Sequence, residues 1–301
     1  MSDKKLIIVL GSSGMAGHKI ASYFKRFTDD YIVEEINRGN FVSQYLIQAD
    51  IINRIKTTFW CYDATSSRNI SNIYIINCLG VTNRSDDFEA MTLMNSYFPH
   101  QLEQFRDVAK VIHLTTDCVF KHLKFKFHNE NSNDLNKKSE YGLTKYLGER
   151  PNNMNLRVSI IGEEINHFRN LFSDLHKCVL RGDKEYKGYI NHYWNGMTTL
   201  ELAKCLKKIV DNDWFNRKTY HLFSPHKPRE DFTTKHKLIE LLINEFKFDI
   251  NLIPTKDKLR HQLLGSKHDL VKKLNILPIE EQIKEMVENL DERYLNIKEH
   301  I

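Results

Sequence analysis

Short hydrophobic runs and helical repeats of hydrophobic residues alternate along the first half of the chain. Each run is nearly continuous, as expected for strands of a parallel sheet that helices cover on both faces. The runs that predict strands are KLIIVL (5–10), YIVEEI (31–36), IYIINCLG (73–80), VAKVIHLTT (108–116) and LRVSII (156–161). Strands that alternate with helices predict an α/β fold, a doubly wound parallel sheet of the Rossmann type.

After residue 161 the pattern changes and helical spacing dominates. GYINHYWNGM (188–197) predicts an aromatic loop, KTYHLFS (218–224) predicts one more strand, and most of the remainder predicts helices, at 166–180, 197–210, 233–246 and 279–290. We therefore expect two parts. A cofactor-binding domain should comprise residues 1–161 with about 197–224, and a smaller, mixed and mainly helical substrate lobe should comprise about 162–196 with 225–301.

The bulk composition narrows the class of protein. With 41% hydrophobic and 28% charged residues among 301 and a mean hydropathy of -0.50, the chain has the composition of a soluble globular protein. Its apolar runs are shorter than the roughly 20 residues that span a bilayer, and LIIVL is too short for the core of a signal peptide. The net charge of +5 is dispersed, which argues against nucleic-acid binding.

The cysteines indicate the compartment. They are five in number, scattered, and form no CxxC pair, so they argue against a disulfide framework or a zinc site. We expect a reducing cytoplasm, no metal and no membrane partner.

A glycine-rich turn follows the first predicted strand. The sequence GSSGMAG places Gly11, Gly14 and Gly17 at a strand-to-helix junction, with Ser13 and Met15 between them. Glycines there let the backbone approach a pyrophosphate, while the helix N-terminus offers free N–H groups and a favourable dipole. The turn therefore predicts a dinucleotide cofactor.

The end of the second predicted strand bears on which dinucleotide binds. An NAD site usually has an acidic side chain there, whereas this strand ends at Asn37 and Arg38, and an arginine suits the 2′-phosphate of NADP(H). The alternative is that Glu34 or Glu35 supplies the carboxylate, but the register puts both inside the strand. We therefore expect NADP(H).

Further cofactor contacts are expected downstream. Asp50 and Ile51 are candidate adenine contacts, and the next strand ends at Cys78, Leu79 and Gly80, close to where the cofactor would lie.

Tyr141 and Lys145 are the candidate catalytic pair. They stand four residues apart in SEYGLTKYLGE, so a helix puts them on one face. An ammonium beside a phenol is expected to lower the pKa of Tyr141 from about 10. Tyr141 is then a candidate general acid for reducing a carbonyl, and Lys145 is also placed to hold the nicotinamide ribose. The hydroxyl of Thr116, at the end of a predicted strand, completes the set.

In order, the motifs resemble those of the extended short-chain dehydrogenase/reductase superfamily, and most closely its dTDP-4-dehydrorhamnose reductase branch. The matching segments cover nearly the whole chain and are GSSGMAG, INCLG, NSYFPHQL, LTTDCVF, YGLTKYLGE, LRVSIIG and NGMTTLELAK. The resemblance implies hydride transfer from NADPH to the C4 ketone of a nucleotide-linked 4-keto-6-deoxy sugar. It also implies that Thr116 hydrogen-bonds the ketone, that Tyr141 donates the proton and that Ser159 packs against the nicotinamide.

The tripeptide Thr116-Asp117-Cys118 separates relatives within this superfamily. By resemblance, 4,6-dehydratases require Thr-Asp-Glu, so Cys118 argues against dehydration. Simple reductases commonly have Tyr in this place, whereas GDP-fucose synthetases and plant-type 3,5-epimerase/4-reductases have a Cys that acts as the epimerase acid/base. A thiol whose pKa of about 8.5 is lowered by a neighbouring cation could move protons at C3 or C5. The alternative is that Cys118 only packs beneath the sugar.

The resemblance also implies a second epimerase acid/base on the helix after LRVSII. The candidates there are His167, His176 and Lys177, of which we choose His176.

Substrate contacts are expected at the predicted strand ends and in the aromatic loop, from Val81, Asp117, Tyr189, Asn191 and Trp194. Trp194 could instead be core between the lobes. By resemblance, the GYINHYWNG segment favours UDP-acetamidosugar pathways, and therefore UDP over dTDP. The product would be a rhamnose or N-acetylrhamnosamine type of sugar.

Three alternatives stay open. One is a plain 4-reductase without epimerase activity. Another is a non-catalytic NADP-binding regulatory subunit, because the regulatory subunit of methionine adenosyltransferase resembles the same branch. The third, a 4-epimerase with bound NAD, is disfavoured by Arg38. Extended members of the superfamily are often dimers, so a homodimer is expected.

Overall fold

The computed structural model describes residues 4–38, 44–64, 70–82, 87–123, 126–166, 168–225 and 233–295. Its strands are β1 (Lys4–Leu10), β2 (Tyr31–Ile36), β3 (Ile70–Asn77), β4 (Lys110–Thr116), β5 (Phe127–His128), β6 (Met154–Val158), β7 (Ile160–Ile161), β8 (Glu185–Tyr189), β9 (His192–Trp194), β10 (Met197–Thr198), β11 (Thr219–His221), β12 (Asn251–Thr255) and β13 (Arg260–Leu264).

The α-helices are α1 (Met15–Phe24), α2 (Gln44–Ala64), α3 (Phe88–Met91), α4 (Phe98–Gln101), α5 (Glu140–Leu147), α6 (Leu171–Leu180), α7 (Thr199–Asp211), α8 (Lys235–Phe246), α9 (Leu270–Leu274), α10 (Ile279–Glu288) and α11 (Glu292–Leu295). A π-helix (Thr92–Tyr97) joins α3 to α4, and 3₁₀ turns occupy Leu102–Phe105 and Asp117–Val119. No helix in the described ranges is long and apolar enough to cross a bilayer.

The central element is a six-stranded parallel sheet in the order β2-β1-β3-β4-β6-β11. Successive residues of β1 serve opposite faces of the sheet. Ile7 and Val9 pack into the core that contains residues of α1 and α7, whereas Leu6, Ile8 and Leu10 pack into the core beneath α2 and the helices around residues 88–105. The prediction of a doubly wound parallel sheet is confirmed.

A third hydrophobic core lies among α6, α8 and α10. It contains Phe172, Leu238, Ile283 and Tyr294, all buried. Small parallel sheets border it, one pairing β8 with β12 and one in the order β5-β13-β9. We call this region the second lobe.

Three secondary-structure predictions were wrong. Residues 188–197, predicted as a loop, contribute to the strands β8, β9 and β10, and the segment after residue 246, predicted as helical, contains β12 and β13. The helix α2 was not predicted. Gly188 pairs with Pro254, so the partners of these short strands lie far away in sequence and local pattern does not reveal them.

A buried polar cluster links β6 and β11 of the central sheet to β5 and to the residue that follows β13. Arg157 forms two hydrogen bonds with Glu149, at 2.8 and 2.6 Å, and its Nη1 lies 3.2 Å from His221 Nε2. His221 Nδ1 lies 2.9 Å from the carbonyl oxygens of His128 and Gly265. A guanidinium can only donate, so Nε2 accepts and Nδ1 carries the hydrogen of a neutral ring. Burial, with the nearby Arg157 charge, lowers the pKa of His221 to about 4.

Acidification is expected to destabilise the protein through His221. Its pKa is about 4 when folded and 6.5 ordinarily, so between these values the unfolded chain binds a proton that the folded chain excludes. The free energy of unfolding should fall by about 3 kcal/mol as the pH falls through this window. Urea unfolding across the window measures the change.

Variants separate His221 from the other groups that titrate in the same range. His221→Leu, though less stable overall, should lack this part of the pH dependence, and His100→Gln, at an exposed position, should keep it. The same pH dependence in His221→Leu as in the wild type would contradict the assignment.

Candidate active site

The glycine turn lies between β1 and α1, at the carboxyl edge of the sheet. Gly11 has φ of +78°, which a side chain would strain. A Cβ at Gly17 would lie 2.1 Å from the Gly11 oxygen, so only glycine lets α1 start this close to the strand. Asn37 Oδ1 accepts hydrogen bonds from the Ser13 N–H (2.7 Å) and the Ser12 hydroxyl (2.9 Å), and so fixes the turn from the end of β2.

The end of β2 carries no uncommitted carboxylate among the described residues. Glu34 and Glu35 lie inside β2, where Glu34 accepts the Tyr62 hydroxyl and Glu35 pairs with Lys25. Asn37 and the exposed Arg38 follow the strand.

Arg54 is a second arginine at this strand end. Its guanidinium donates to the Asn37 carbonyl at 2.9 Å, and it lies 3.8 Å from Asp50. Sequence analysis missed Arg54, because it reaches the site from α2, which was not predicted.

The two predicted adenine contacts, Asp50 and Ile51, both lie on the helix α2. Ile51 lies within α2, is fully buried and packs against the sheet. Asp50 also lies within the helix, one turn before Arg54. The Ile51 side chain is thus held in the core and Asp50 is a neighbour of Arg54, while the contact of these two residues with adenine stays a prediction.

Lys145 lies beside the end of β3. Its Nζ donates to the Leu114 carbonyl at 2.8 Å, and a Cβ at Gly80 would lie 3.4 Å from it. Burial lowers the pKa of Lys145 to about 8 and raises that of the adjacent Cys78 to about 12. Leu79 packs into the core, its side chain 3.0 Å from where a Cβ of Gly11 would stand.

Asn95 holds the segment after β3 in place. From within the π-helix, its side chain accepts from the Val81 N–H and donates to the Val81 carbonyl, both at 2.8 Å, and its Nδ2 lies 3.2 Å from Thr144 Oγ1. Val81 is thus held by its backbone. Asn95 was missed as a single residue, although its segment NSYFPHQL was noticed; π-turns often occur at functional sites.

Helix α5 brings Tyr141 to the end of β4. Ser139 caps the helix by accepting the Gly142 N–H at 3.0 Å. A Cβ at Gly142 would lie 2.2 Å from the Cys118 oxygen, so glycine permits this close packing. Tyr141 consequently lies near Thr116, Asp117 and Cys118.

The predicted lowering of the Tyr141 pKa is not found. Burial raises the pKa of Tyr141, and repulsion from the ionised forms of Cys118 and Asp117 adds to the effect. Lys145 is engaged with the Leu114 carbonyl. Tyr141 therefore remains a protonated phenol at neutral pH, which is the form that a general acid requires.

Cys118 lies in a polar cluster at the strand end. Its thiol donates to Asp117 Oδ1 at 3.6 Å, and Gln262 Nε2, from β13, lies 3.7 Å from the sulfur. Burial and the Asp117 charge raise the pKa of Cys118 to about 12, while Lys235 opposes the change. The prediction of a lowered pKa for the Cys118 thiol is therefore wrong, although Lys235 is the neighbouring cation that it required.

The second-lobe candidates differ in their surroundings. Trp194 is 3% exposed and donates its indole N–H to Ser159 at 2.8 Å, so it belongs to the core rather than to a surface for base stacking. Asn191 is engaged on both sides of its amide with the backbone of Asp257. Tyr189 remains 36% exposed and stacks on the His192 ring, with centroids 4.3 Å apart.

His176 lies in the aromatic cluster of the second lobe. Its ring packs on Phe172 and Phe248, and its Nδ1 lies 2.9 Å from the Tyr294 hydroxyl. These contacts give His176 a packing role and correct its choice as an epimerase acid/base. Lys177 lies over the Phe168 ring, at 5.7 Å.

The remaining candidate for that role, His167, lies outside the described residues.

Together, the parallel sheet and the glycine turn define a Rossmann-type α/β fold, with Thr116, Tyr141 and Lys145 near the carboxyl edge of its sheet. No family model matches the sequence, and a search of curated proteins gives no match. Solved structures are similar over nearly the whole chain.

Three of these structures illustrate the likeness. The dTDP-4-dehydrorhamnose reductase of Bacillus anthracis in complex with NADP has a TM-score of 0.72 at 14% identity, over 96% of this chain and 100% of that chain. The dTDP-4-dehydrorhamnose reductase of Clostridium acetobutylicum has a TM-score of 0.69 at 17% identity, over 98% of this chain and 99% of that chain. A GDP-L-fucose synthetase of Naegleria fowleri bound to NADP has a TM-score of 0.67 at 15% identity, over 99% of this chain and 95% of that chain. The chain therefore shares the fold of these enzymes.

Proposed function

We propose that the protein reduces the C4 ketone of a nucleotide-linked 4-keto-6-deoxy sugar with NADPH. The observation that carries the proposal is the convergence of Thr116, Tyr141 and Lys145 at the carboxyl edge of the sheet, beside the glycine turn. In open α/β sheets, ligands bind at this edge. The similar solved structures named above act on sugar nucleotides or bind NADP.

The residues at the turn fit NADP(H). A Cβ at Gly14 would have only the Gly11 oxygen nearby, at 3.4 Å, so the backbone there is open to the close approach of a pyrophosphate, while Gly17 permits the close packing of α1 on the turn. Arg38 and Arg54 supply two positive charges at the end of β2, where a 2′-phosphate would lie. Lys145 would hold the nicotinamide ribose. When bound, NADPH supplies the hydride.

Tyr141 carries the proton chemistry. As the hydride adds to C4, the protonated phenol of Tyr141 gives its hydrogen to the ketone oxygen, so that the ketone becomes a hydroxyl group and Tyr141 a phenolate. Solvent then returns a proton to Tyr141.

The second lobe would bind the nucleotide. Tyr189 and His192 form an aromatic stack that exposes part of the Tyr189 ring, and a nucleobase can stack on such a face. Following the resemblance of this segment, we propose UDP in preference to dTDP. The domain division stated above is part of this proposal.

Turnover tests the function directly. UDP- and dTDP-linked 4-keto-6-deoxy sugars are incubated with NADPH, and oxidation of NADPH is followed together with the sugar product. Reduction of one of these ketones is expected, with a higher kcat/KM for UDP. Tight NADP(H) binding without turnover of any of them would favour the non-catalytic regulatory subunit.

We further propose that Cys118 exchanges protons at C3 or C5. Its thiol lies at the strand end beside Asp117 and Gln262. A second acid/base, for which His167 and Lys177 remain candidates by resemblance, would take the proton from C3 or C5 and form an enolate that Tyr141 stabilises. Cys118, which its raised pKa keeps protonated, would then give its proton to that carbon and become a thiolate, which regains a proton from solvent. In D2O, NMR should detect deuterium at C3 or C5 of the product. Cys118→Ala should lose this deuterium while reduction continues.

A buried cysteine elsewhere provides the control. Cys205→Ala, which removes a thiol from the core around α7, should retain the deuterium pattern of the wild type. Protium at both carbons in the wild-type product would instead identify a plain 4-reductase, with Cys118 as a packing residue.

A further inference from the structure

Gln262 brings the second lobe into contact with the Cys118 thiol. The residue lies in the middle of β13 and is partly buried, and its side-chain Nε2 lies 3.7 Å from the Cys118 sulfur. The thiol hydrogen is accepted by Asp117 Oδ1, at 3.6 Å. Cys118 therefore has one neighbour that takes its hydrogen and another that donates to its sulfur.

The chemistry of the groups fixes the direction of these two hydrogen bonds. A thiol has one hydrogen, and Asp117 takes it. Gln262 must therefore present the nitrogen of its amide to the sulfur, because the amide oxygen would need a second thiol hydrogen. An amide nitrogen donates and does not accept. Gln262 is thus a donor to the sulfur in the thiol form and in the thiolate form alike.

Both partners are held in position by contacts of their own. The Cys118 N–H donates to Thr116 Oγ1 at 3.2 Å, which fixes the turn that carries the thiol. Gln262 is held because β13 pairs with β9. In addition, the Asn195 side chain accepts the Leu264 N–H at 2.9 Å and donates to the Leu264 carbonyl at 2.7 Å, which fixes the end of β13. The contact therefore belongs to the junction between the sheet and the second lobe.

The proton transfer proposed for Cys118 changes what its sulfur requires. When Cys118 gives its proton to C3 or C5, the S–H bond breaks, a C–H bond forms and the sulfur keeps the electron pair. The thiolate has no hydrogen to donate to Asp117 and is repelled by the Asp117 charge, while the charge of Lys235 attracts it. The Gln262 N–H holds a thiolate more strongly than a thiol, because hydrogen bonds to charged groups are the stronger ones.

We propose that Gln262 is a positioning residue for Cys118, which stabilises the thiolate formed when Cys118 protonates C3 or C5 and is not needed for the reduction at C4. This inference rests on the proposed function, to which it adds a second-lobe residue that the resemblance does not assign. One hydrogen bond to a charged group corresponds to about a 10-fold change in the fraction of Cys118 present as thiolate.

Alkylation of Cys118 by iodoacetamide tests the inference without any substrate. Only the thiolate reacts, so at one fixed, mildly alkaline pH the rate follows the thiolate fraction. Gln262→Met keeps the length of the side chain and removes the donor. It should slow alkylation about 3-fold, because a more basic thiolate is also more nucleophilic and offsets part of the 10-fold change. Mass spectrometry of the Cys118 peptide measures the rate.

Two charged variants distinguish stabilisation of the thiolate from a change of access to it. Gln262→Glu should slow alkylation more than Gln262→Met, whereas Gln262→Lys should accelerate it, because a cation favours the thiolate. A change of access or of packing would not follow the sign of the charge. Equal rates in Gln262→Met and the wild type, or faster alkylation in all three variants, would overturn the proposal.

Other cysteines provide the controls in the same digests. Cys205 is fully buried in the core around α7 and should stay unmodified, so its alkylation would reveal an unfolded variant. Cys178, a partly exposed cysteine of the second lobe, should react at the wild-type rate in every variant.

Deuterium exchange connects the contact with the chemistry. With NADP⁺ in place of NADPH the ketone is not reduced, and NMR in D2O follows exchange at C3 and C5 of the 4-keto sugar nucleotide. Gln262→Met should slow this exchange about 10-fold, while its reduction rate with NADPH stays within a few-fold of the wild type. Equally fast exchange in Gln262→Met and the wild type refutes the role of Gln262. A wild-type enzyme that reduces the ketone but exchanges neither proton refutes the proposed epimerisation instead.

Discussion

Tyr141→Phe is expected to lower kcat for ketone reduction about 10³-fold, because positioned general acids contribute about 10² to 10⁴. The structure supports this size of effect. Burial keeps the Tyr141 phenol protonated, and α5 packs on the strand end with no room for a side chain at Gly142. Phenylalanine keeps the ring and removes only the hydroxyl group. The Kd for NADPH should therefore stay close to the wild-type value.

Tyr146 provides the control on the same helix. Its ring is 36% exposed, so Tyr146→Phe should change neither kcat nor stability. Single-turnover rates separate the chemical step from product release. A Tyr141→Phe rate within a few-fold of the wild type would mean that another group protonates the ketone, and Cys118, the other protonated acid at the strand end, would be examined next.

The sheet and the catalytic cluster could be predicted because their signals are local. A strand buried on both faces must be hydrophobic throughout, and β1 shows this in the run from Leu6 to Leu10. The positions Gly11, Gly14 and Gly17 follow from the turn that links such a strand to a helix. Helical spacing alone puts Tyr141 and Lys145 on one face.

The second lobe could not be predicted in this way. Its strands β8, β9, β12 and β13 are stabilised by partners distant in sequence. The aromatic surroundings of His176 and Trp194 are assembled only when the elements of this lobe pack together, so their positions could not be predicted either. Outside this lobe, α2 was missed because its mixed pattern of polar and apolar residues shows no clear hydrophobic face.

The direction of the pKa shifts of Tyr141 and Cys118 was the property that the sequence predicted least well. The sequence suggested a cation beside Tyr141 and another beside Cys118, and both predictions of a lowered pKa followed from charge alone. In the folded chain, desolvation is the largest effect on both groups and disfavours their charged forms. Burial depends on the whole fold, so the spacing of charges along the chain does not reveal it.

Cofactor preference provides the other large effect. We propose that Arg38 and Arg54 both bind the 2′-phosphate, and a charge-assisted hydrogen bond contributes about 1.5 to 3 kcal/mol. Arg38→Ala and Arg54→Ala should each raise the Kd for NADPH about 10-fold to 10²-fold, and the double variant about 10³-fold. NADH lacks this phosphate, so its Kd should hardly change. Fluorescence titration with both cofactors measures the ratio.

The design distinguishes binding of the phosphate from support of the fold. Arg54 also donates to the Asn37 carbonyl, and Asn37 holds the glycine turn, so damage to the turn would weaken NADPH and NADH equally. Arg181→Ala, at a surface arginine paired with Asp183, controls for the change in net charge. Higher salt should weaken NADPH binding to the wild type more than to the double variant, because exposed charges are screened. Equal losses for both cofactors would assign Arg54 to the turn and leave Arg38 as the sole phosphate ligand from this strand end.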